Sequence, residues 1–174
     1  MQNKIEKIVE KLYEIGVYKA TIIKSDQVVT DVAFRKICES NGCGMYGKCW
    51  TCPPYCGDIE YLISTLDKYC NVLVFQSVGQ IEDSYDFEGM TEHKRRFVTI
   101  TSRAKEFFEL EAIDALVLGA GGCGICDKCS KRDGLKCKFP QKALTSLEAY
   151  GINVSELAKA ADTSMRSSPS APWS

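Results

Sequence analysis

Four cysteines between Gly121 and Pro140 stand at a spacing that suits inorganic chemistry better than packing: Cys123, Cys126, Cys129 and Cys137, written C-x2-C-x2-C-x7-C. Three thiolates two residues apart can converge on one cluster when the backbone wraps around it, and Gly121, Gly122 and Gly124 permit that wrapping. The pattern points first to a 4Fe–4S cluster. Zinc competes, although four-cysteine zinc sites usually use two separate C-x2-C knuckles, whereas here the pairs overlap at Cys126. Thiols that ligate nothing are the third reading.

A second cysteine region precedes it, Cys38-x4-Cys43-x5-Cys49-x2-Cys52-Pro53-Pro54-Tyr55-Cys56. Five thiols are offered here for at most four positions. Cys52 leads, because a proline after a ligand keeps the next backbone extended and shields the sulfur; Cys38 and Cys43 follow, then Cys49, then Cys56. The region reads as a second cluster, as ligands completing a shared one, as a zinc site, or as unligated thiols. Cys49-Trp50-Thr51-Cys52 could also be a redox dithiol, but the prolines stop a helix from starting on the attacking cysteine. Cys70, without cysteine neighbours, reads as a buried structural thiol. His93, the sole histidine, lies on an apolar helical stripe and reads as a packing residue. Gly119-Ala120-Gly121-Gly122-Cys123-Gly124 leads into cysteines rather than a helix, so it is not a dinucleotide loop, and neither flavin nor nicotinamide is expected.

Ten cysteines in 174 residues require an explanation by redox compartment or by metal. The N-terminus opens an amphipathic helix without the apolar core of a signal peptide, so a reducing cytoplasm and metal ligation are expected rather than disulfides. No segment has the ~20 apolar residues of a membrane span. With 22 basic and 23 acidic residues there is no global charge for nucleic acid. The local charge differs: Lys128, Lys131, Arg132, Lys136, Lys138 and Lys142 face only Asp127 and Asp133 around the second loop. That excess suits an anionic cluster of net charge roughly −2. It also suits an acidic redox partner docking on Lys128–Lys142, the alternative being a solvated lysine-rich loop. A homodimer is left open.

The elements that must position these loops are read as follows. Ile5, Ile8, Val9, Leu12 and Ile15 make a packing helix that Gly16 ends. Tyr18–Ile23 and Gln27–Val32 are expected as a hairpin turning at Lys24-Ser25-Asp26. A helix capped by Asp58 is expected to reach Cys70. Val72–Phe75 and Ala115–Leu118 read as parallel strands joined by a long helix from about Gly89 to Leu110, a right-handed crossover. The second cysteine loop starts where the latter strand ends, a topology that lets both cysteine regions meet at one sheet edge. Ala143–Tyr150 reads as a short helix stopped by Gly151, and Val154–Ala161 as another entered through Asn153 or Ser155. The expected fold is one α/β domain over residues 1–162, a small mixed sheet with packed helices and two cysteine-rich metal-binding loops. Residues 163–174, small, polar and ending Trp-Ser, read as an affinity-tag remnant.

Cys38, the run Cys43-Gly44-Met45-Tyr46-Gly47-Lys48 with Trp50-Thr51-Cys52-Pro53-Pro54, the later Cys123-x2-Cys126-x2-Cys129 through Cys137-x2-Pro140, and Ser146–Val154 together resemble the DUF2284 family of metal-binding proteins. The resemblance covers most of the chain before the tail. It implies Cys38, Cys43, Cys52, Cys123, Cys126, Cys129 and Cys137 as metal-site residues, and it carries no reaction. Cys49 and Cys56 fall where relatives often have other residues. Relatives continue past Ala161 into a further strand, unlike this chain. The function expected is a cytoplasmic iron–sulfur protein with one or two 4Fe–4S clusters that relays electrons. The alternatives are a zinc-stabilised binding or regulatory module and a cluster-dependent enzyme with an open iron site, for which no paired carboxylates or nucleophile–base pair name a substrate.

Overall fold

The structure is a computed structural model that describes residues 2–162; the tag-like segment 163–174 lies outside the described residues. Its frame is two helices packed along one another, α1 (Gln2–Glu14) and α4 (Phe87–Leu110). Ile8 and Leu12 of α1 meet Ile100, Ala104 and Phe107 of α4 in one core, each burying an apolar side chain worth roughly 1.5–3 kcal/mol. Of the apolar stripe expected on α4, Ile100, Ala104 and Phe107 are buried while Met90 is exposed, and the helix N-terminus is fixed by Asp86, whose side chain accepts the Gly89 N–H.

Strand β1 (Lys19–Lys24) pairs antiparallel with β2 (Asn71–Gln76). Successive side chains of a strand point to opposite faces, and β2 uses both: Leu73 and Phe75 join the α1–α4 core, while Val72 and Val74 join a second core of Ile23, Ile152, Leu157 and Ala161. This explains the uninterrupted apolar run. The expected hairpin is not formed, because Gln27 closes a 3-10 turn by accepting the Lys24 N–H, and the chain then leaves the sheet. Residues 28–32 instead satisfy their backbone on 151–153, through Asp31 N–H to Gly151 O at 2.8 Å and Asn153 N–H to Val29 O at 2.9 Å.

The crossover is also corrected. Only Leu118–Gly119 forms a strand, β3, and it pairs in parallel with β4 (Thr145–Ser146), not with β2. The chain returning from the second cysteine loop lies beside β3 and takes its hydrogen bonds, as Leu147 N–H does on Gly119 O. Pairing there replaces the expected helix at Ala143; only Glu148–Tyr150 turns helically, as a 3-10 turn. The fold is mixed α/β with two small two-stranded sheets. The sequence did not foreshadow α2 (Phe34–Glu39), and α3 is shorter than expected, Ile59–Ser64 followed by a 3-10 turn, with Asp58 capping it as read. Asn153 caps α5 (Val154–Ala160).

Gly151 stops the 3-10 turn with a left-handed φ of +68°. A Cβ there would sit 3.0 Å from Asp31 O and from Ile63 Cδ1. Gly151→Ala is therefore expected to lower stability by about 1–3 kcal/mol, read as a reduced urea midpoint with an unchanged slope.

Candidate metal centre

Each cysteine loop is held by its own backbone. In the second loop, Gly124 takes a left-handed φ of +68° and a Cβ there would come within 2.7 Å of Val98 Cγ2, so only glycine lets Cys123–Cys126 lie against α4. Between Cys129 and Cys137 the chain makes a 3-10 turn, Ser130–Asp133, ended by Gly134 in the left-handed region. Buried Ser130 ties that turn shut: its Oγ donates to Lys136 O at 2.8 Å and its carbonyl accepts the Leu135 N–H at 3.0 Å.

In the first loop, Cys38 lies on α2 and the Cys52–Cys56 segment makes one tight turn, Cys56 N–H donating to Cys52 O at 3.2 Å. The Cys43 segment is drawn onto it by Gly47 N–H donating to Pro53 O at 2.9 Å. Cys49 and Cys52 are buried, Cys43 is exposed, and Cys38 and Cys56 lie between.

The two loops meet, although the parallel pairing from which their meeting was expected is not formed. The Trp50 indole N–H donates to Leu135 O at 3.0 Å. The Lys131 ammonium lies 4.4 Å from the Trp50 ring centre and 3.7 Å from that of Tyr55, a cation held by two aromatic faces. The Cys123 N–H reaches the Cys49 sulfur. Arg132 approaches the Met45 sulfur at 3.7 Å.

Between the loops is a cavity of about 210 Å³ whose wall carries all four cysteines of the second loop, Cys123, Cys126, Cys129 and Cys137, together with Cys49 of the first. Lys94 and Arg132 bring positive charge to the same wall. Burial pushes the Cys123 thiol up from its ordinary value, and the N–H groups of Leu144 and Ile125 on its sulfur pull it back. The hydrogen bond from the Cys52 thiol, with those from Thr51 and Cys123, holds Cys49 low against its burial, and the same bond together with burial pushes Cys52 up.

The chemistry of this donor set can be tested against its geometry. Four sulfurs on one tetrahedral zinc, each ~2.3 Å from the metal, stand within ~4 Å of one another. Among the described residues no group of three or more His, Cys, Asp or Glu side chains is placed to hold a metal ion in that way. The thiols instead line a space far larger than an ion or a water requires.

The other candidates fall elsewhere. Cys38, Cys43, Cys52 and Cys56 lie off the cavity wall. Cys70 is exposed, not buried as its sequence surroundings suggested, because the helix expected to carry it ends at Ser64 and its turn at Lys68. His93 is half-buried beside Gly79, with Ser77 Oγ at 3.4 Å from Nε2. Of the basic residues read as one patch, Lys131 faces the aromatic pair and Lys128 faces Asp133, leaving Lys136, Lys138 and Lys142 exposed. Sequence reasoning missed Met45, Trp50 and Lys94, whose types carry no ligand signal.

A small α/β protein whose two cysteine loops close around a thiol-lined cavity is a metal-binding protein in form. The chain belongs to the family described as "Predicted metal-binding protein (DUF2284)", which matches residues 21–172 and so takes in all ten cysteines. No curated protein and no solved structure matches it. No helix among the described residues is long and apolar enough to cross a membrane.

Because the Lys131 contact is worth only about 0.5–2 kcal/mol, it governs docking of the loops rather than global folding. Lys131→Met is expected to speed amide exchange across residues 130–137 while shifting the unfolding midpoint little; unchanged exchange would show that the aromatic pair holds nothing.

Proposed function

We propose that this protein is an iron–sulfur electron carrier that holds a 4Fe–4S cluster through Cys123, Cys126, Cys129 and Cys137. The observation that carries the reading is the cavity with those four thiols on its wall. When bound, such a cluster supplies a one-electron couple whose potential depends on hydrogen bonds to sulfur, local charge and exposure to water.

The chain's own residues provide each of those influences. Leu144 N–H donates to Cys123 Sγ at 3.4 Å, and Ile125 N–H reaches the same sulfur. Lys94 and Arg132, against Asp127, leave net positive charge at the wall, and Trp50 and Phe139 add apolar surface to it. Lys136, Lys138 and Lys142, exposed on and beside the same loop, form the docking surface for an acidic redox partner. All ten cysteines are unpaired, which suits a reducing cytoplasm. No observation favours the zinc-stabilised module over this reading, and none names a substrate for an enzyme.

Anaerobic purification followed by iron and acid-labile sulfide analysis tests the proposal. Equal amounts of iron and sulfide are expected, with a visible chromophore that dithionite bleaches and a mild oxidant restores. Cys126→Ala should lose the cluster of this cavity, whereas Cys70→Ala should retain the full complement. Zinc without labile sulfide, or a chromophore that no reductant changes, would refute it.

A further inference from the structure

Away from both cysteine loops, α4 borders a second cavity, an open groove of about 450 Å³. It lies between the end of α1 and the middle of α4, since Ile15 shares its wall with Arg95, Arg96, Ile100 and Arg103. No residue lines both this groove and the thiol-lined cavity. Lys94 and Val98, which meet the second cysteine loop, stand on the other side of a helix of about 3.6 residues per turn from Glu92, Arg96 and Arg103.

Three guanidinium groups line the groove against one carboxylate, Glu92. Arg103 is paired with Glu106 at 3.1 Å and lies 5.3 Å from the Phe107 ring centre. The Lys11 ammonium lies 5.4 Å from the same centre and adds positive charge at that end. Arg96 reaches back over the end of α1, where a Cβ on Gly16 would strike its Nη2. A helix C-terminus favours a cation there, which positions the guanidinium without removing its charge. Among the described residues the guanidinium groups of Arg95 and Arg96 have neither a hydrogen bond nor an ion pair. Thr99 Oγ1 donates to Arg95 O at 3.1 Å, so its proton is already used. Beneath the charges the surface is apolar, with Ile100 buried and Ile15 half-buried.

We propose that this groove binds a small organic phosphate, with the phosphate group on Arg95 and Arg96 and the organic body on Ile15 and Ile100. Arginine is always charged, and its planar fork matches phosphate oxygens two at a time. Arg95, Arg96, Arg103 and Lys11 against Glu92 and Glu106 leave two positive charges, which match the roughly −1.5 to −2 of a phosphate monoester at neutral pH. The volume falls within the roughly 300–1,000 Å³ of small-molecule sites, more than a phosphate ion alone would fill. The proposal is independent of the iron–sulfur reading, because the two sites share no residue.

The test titrates the full chain with phenyl phosphate, read by calorimetry and by amide chemical shifts, with inorganic phosphate and phenol as separate probes. Phenyl phosphate is expected to bind once per chain with a dissociation constant of about 1 mM or tighter. Inorganic phosphate should bind more weakly and phenol not at all, and the shifts should centre on Ile15, Arg95, Arg96 and Thr99. Arg95→Met and Arg96→Met should each weaken binding about tenfold or more. Glu92→Gln should tighten it about two- to fivefold, a gain that misfolding does not produce. Lys68→Met, which removes an exposed charge from the 3-10 turn after α3, should leave the affinity unchanged. Phenyl phosphate that never saturates, an equal loss in Lys68→Met and Arg96→Met, or shifts centred on residues 123–142 would overturn the proposal. Equal affinity for phosphate and phenyl phosphate would also overturn it, because Ile15 and Ile100 would then touch nothing.

Discussion

The rest of the structure depends on how two irregular loops, 85 residues apart at Trp50 and Leu135, are held face to face. Neither loop contains a regular ladder to satisfy its backbone, so each relies on internal turns and on the other loop. The contacts between them are few: one indole hydrogen bond worth about 1 kcal/mol, one cation between two rings worth about 0.5–2 kcal/mol, the N–H of Cys123 on the Cys49 sulfur, and Arg132 on the Met45 sulfur. Their sum is small beside the 5–15 kcal/mol stability of a typical domain. It is smaller still than the roughly 10–16 kcal/mol that structural metal ligation can supply. Side-chain docking therefore sets the approach of the loops, and ligation would lock it.

The scaffold supplies the directions. Strand β2 divides its side chains between two cores, one against α1 and α4 and one against α5, so that a single short strand fixes both halves of the molecule. Helix α4 extends from the first core to Val98 and Lys94, where the second cysteine loop lies across it. Strand β3 aims the chain into that loop and β4 receives it on return, giving the loop a parallel clamp at its base. The first loop is held in a like manner between α2 and the cap of α3.

Elements governed by neighbours in sequence were legible. The periodicity of Ile8, Leu12, Ile100 and Phe107, the caps at Asp58 and Asn153, and the stop at Gly151 all act within a turn or two of the chain. Pairing between distant segments was not legible: β1 takes β2 rather than residues 27–32, and β3 takes β4 rather than β2, because short strands of similar composition do not encode their partners. The cysteine spacing revealed which residues could do chemistry, yet not how they would be shared. Cys49 and Cys52, two residues apart in a motif that reads as a pair, do meet through a thiol hydrogen bond, yet only Cys49 lines the cavity. Cys56 ranked last from sequence, and it lies off the cavity wall.

The claim at the centre is that a cluster occupies the space between the loops. Crystals grown without oxygen and measured on both sides of the iron absorption edge would show this most directly. An iron anomalous peak within bonding distance of the sulfurs of Cys123, Cys126, Cys129 and Cys137 is the expected result. A map without iron there, a peak that responds at the zinc edge instead, or sulfurs joined to each other as disulfides would contradict it.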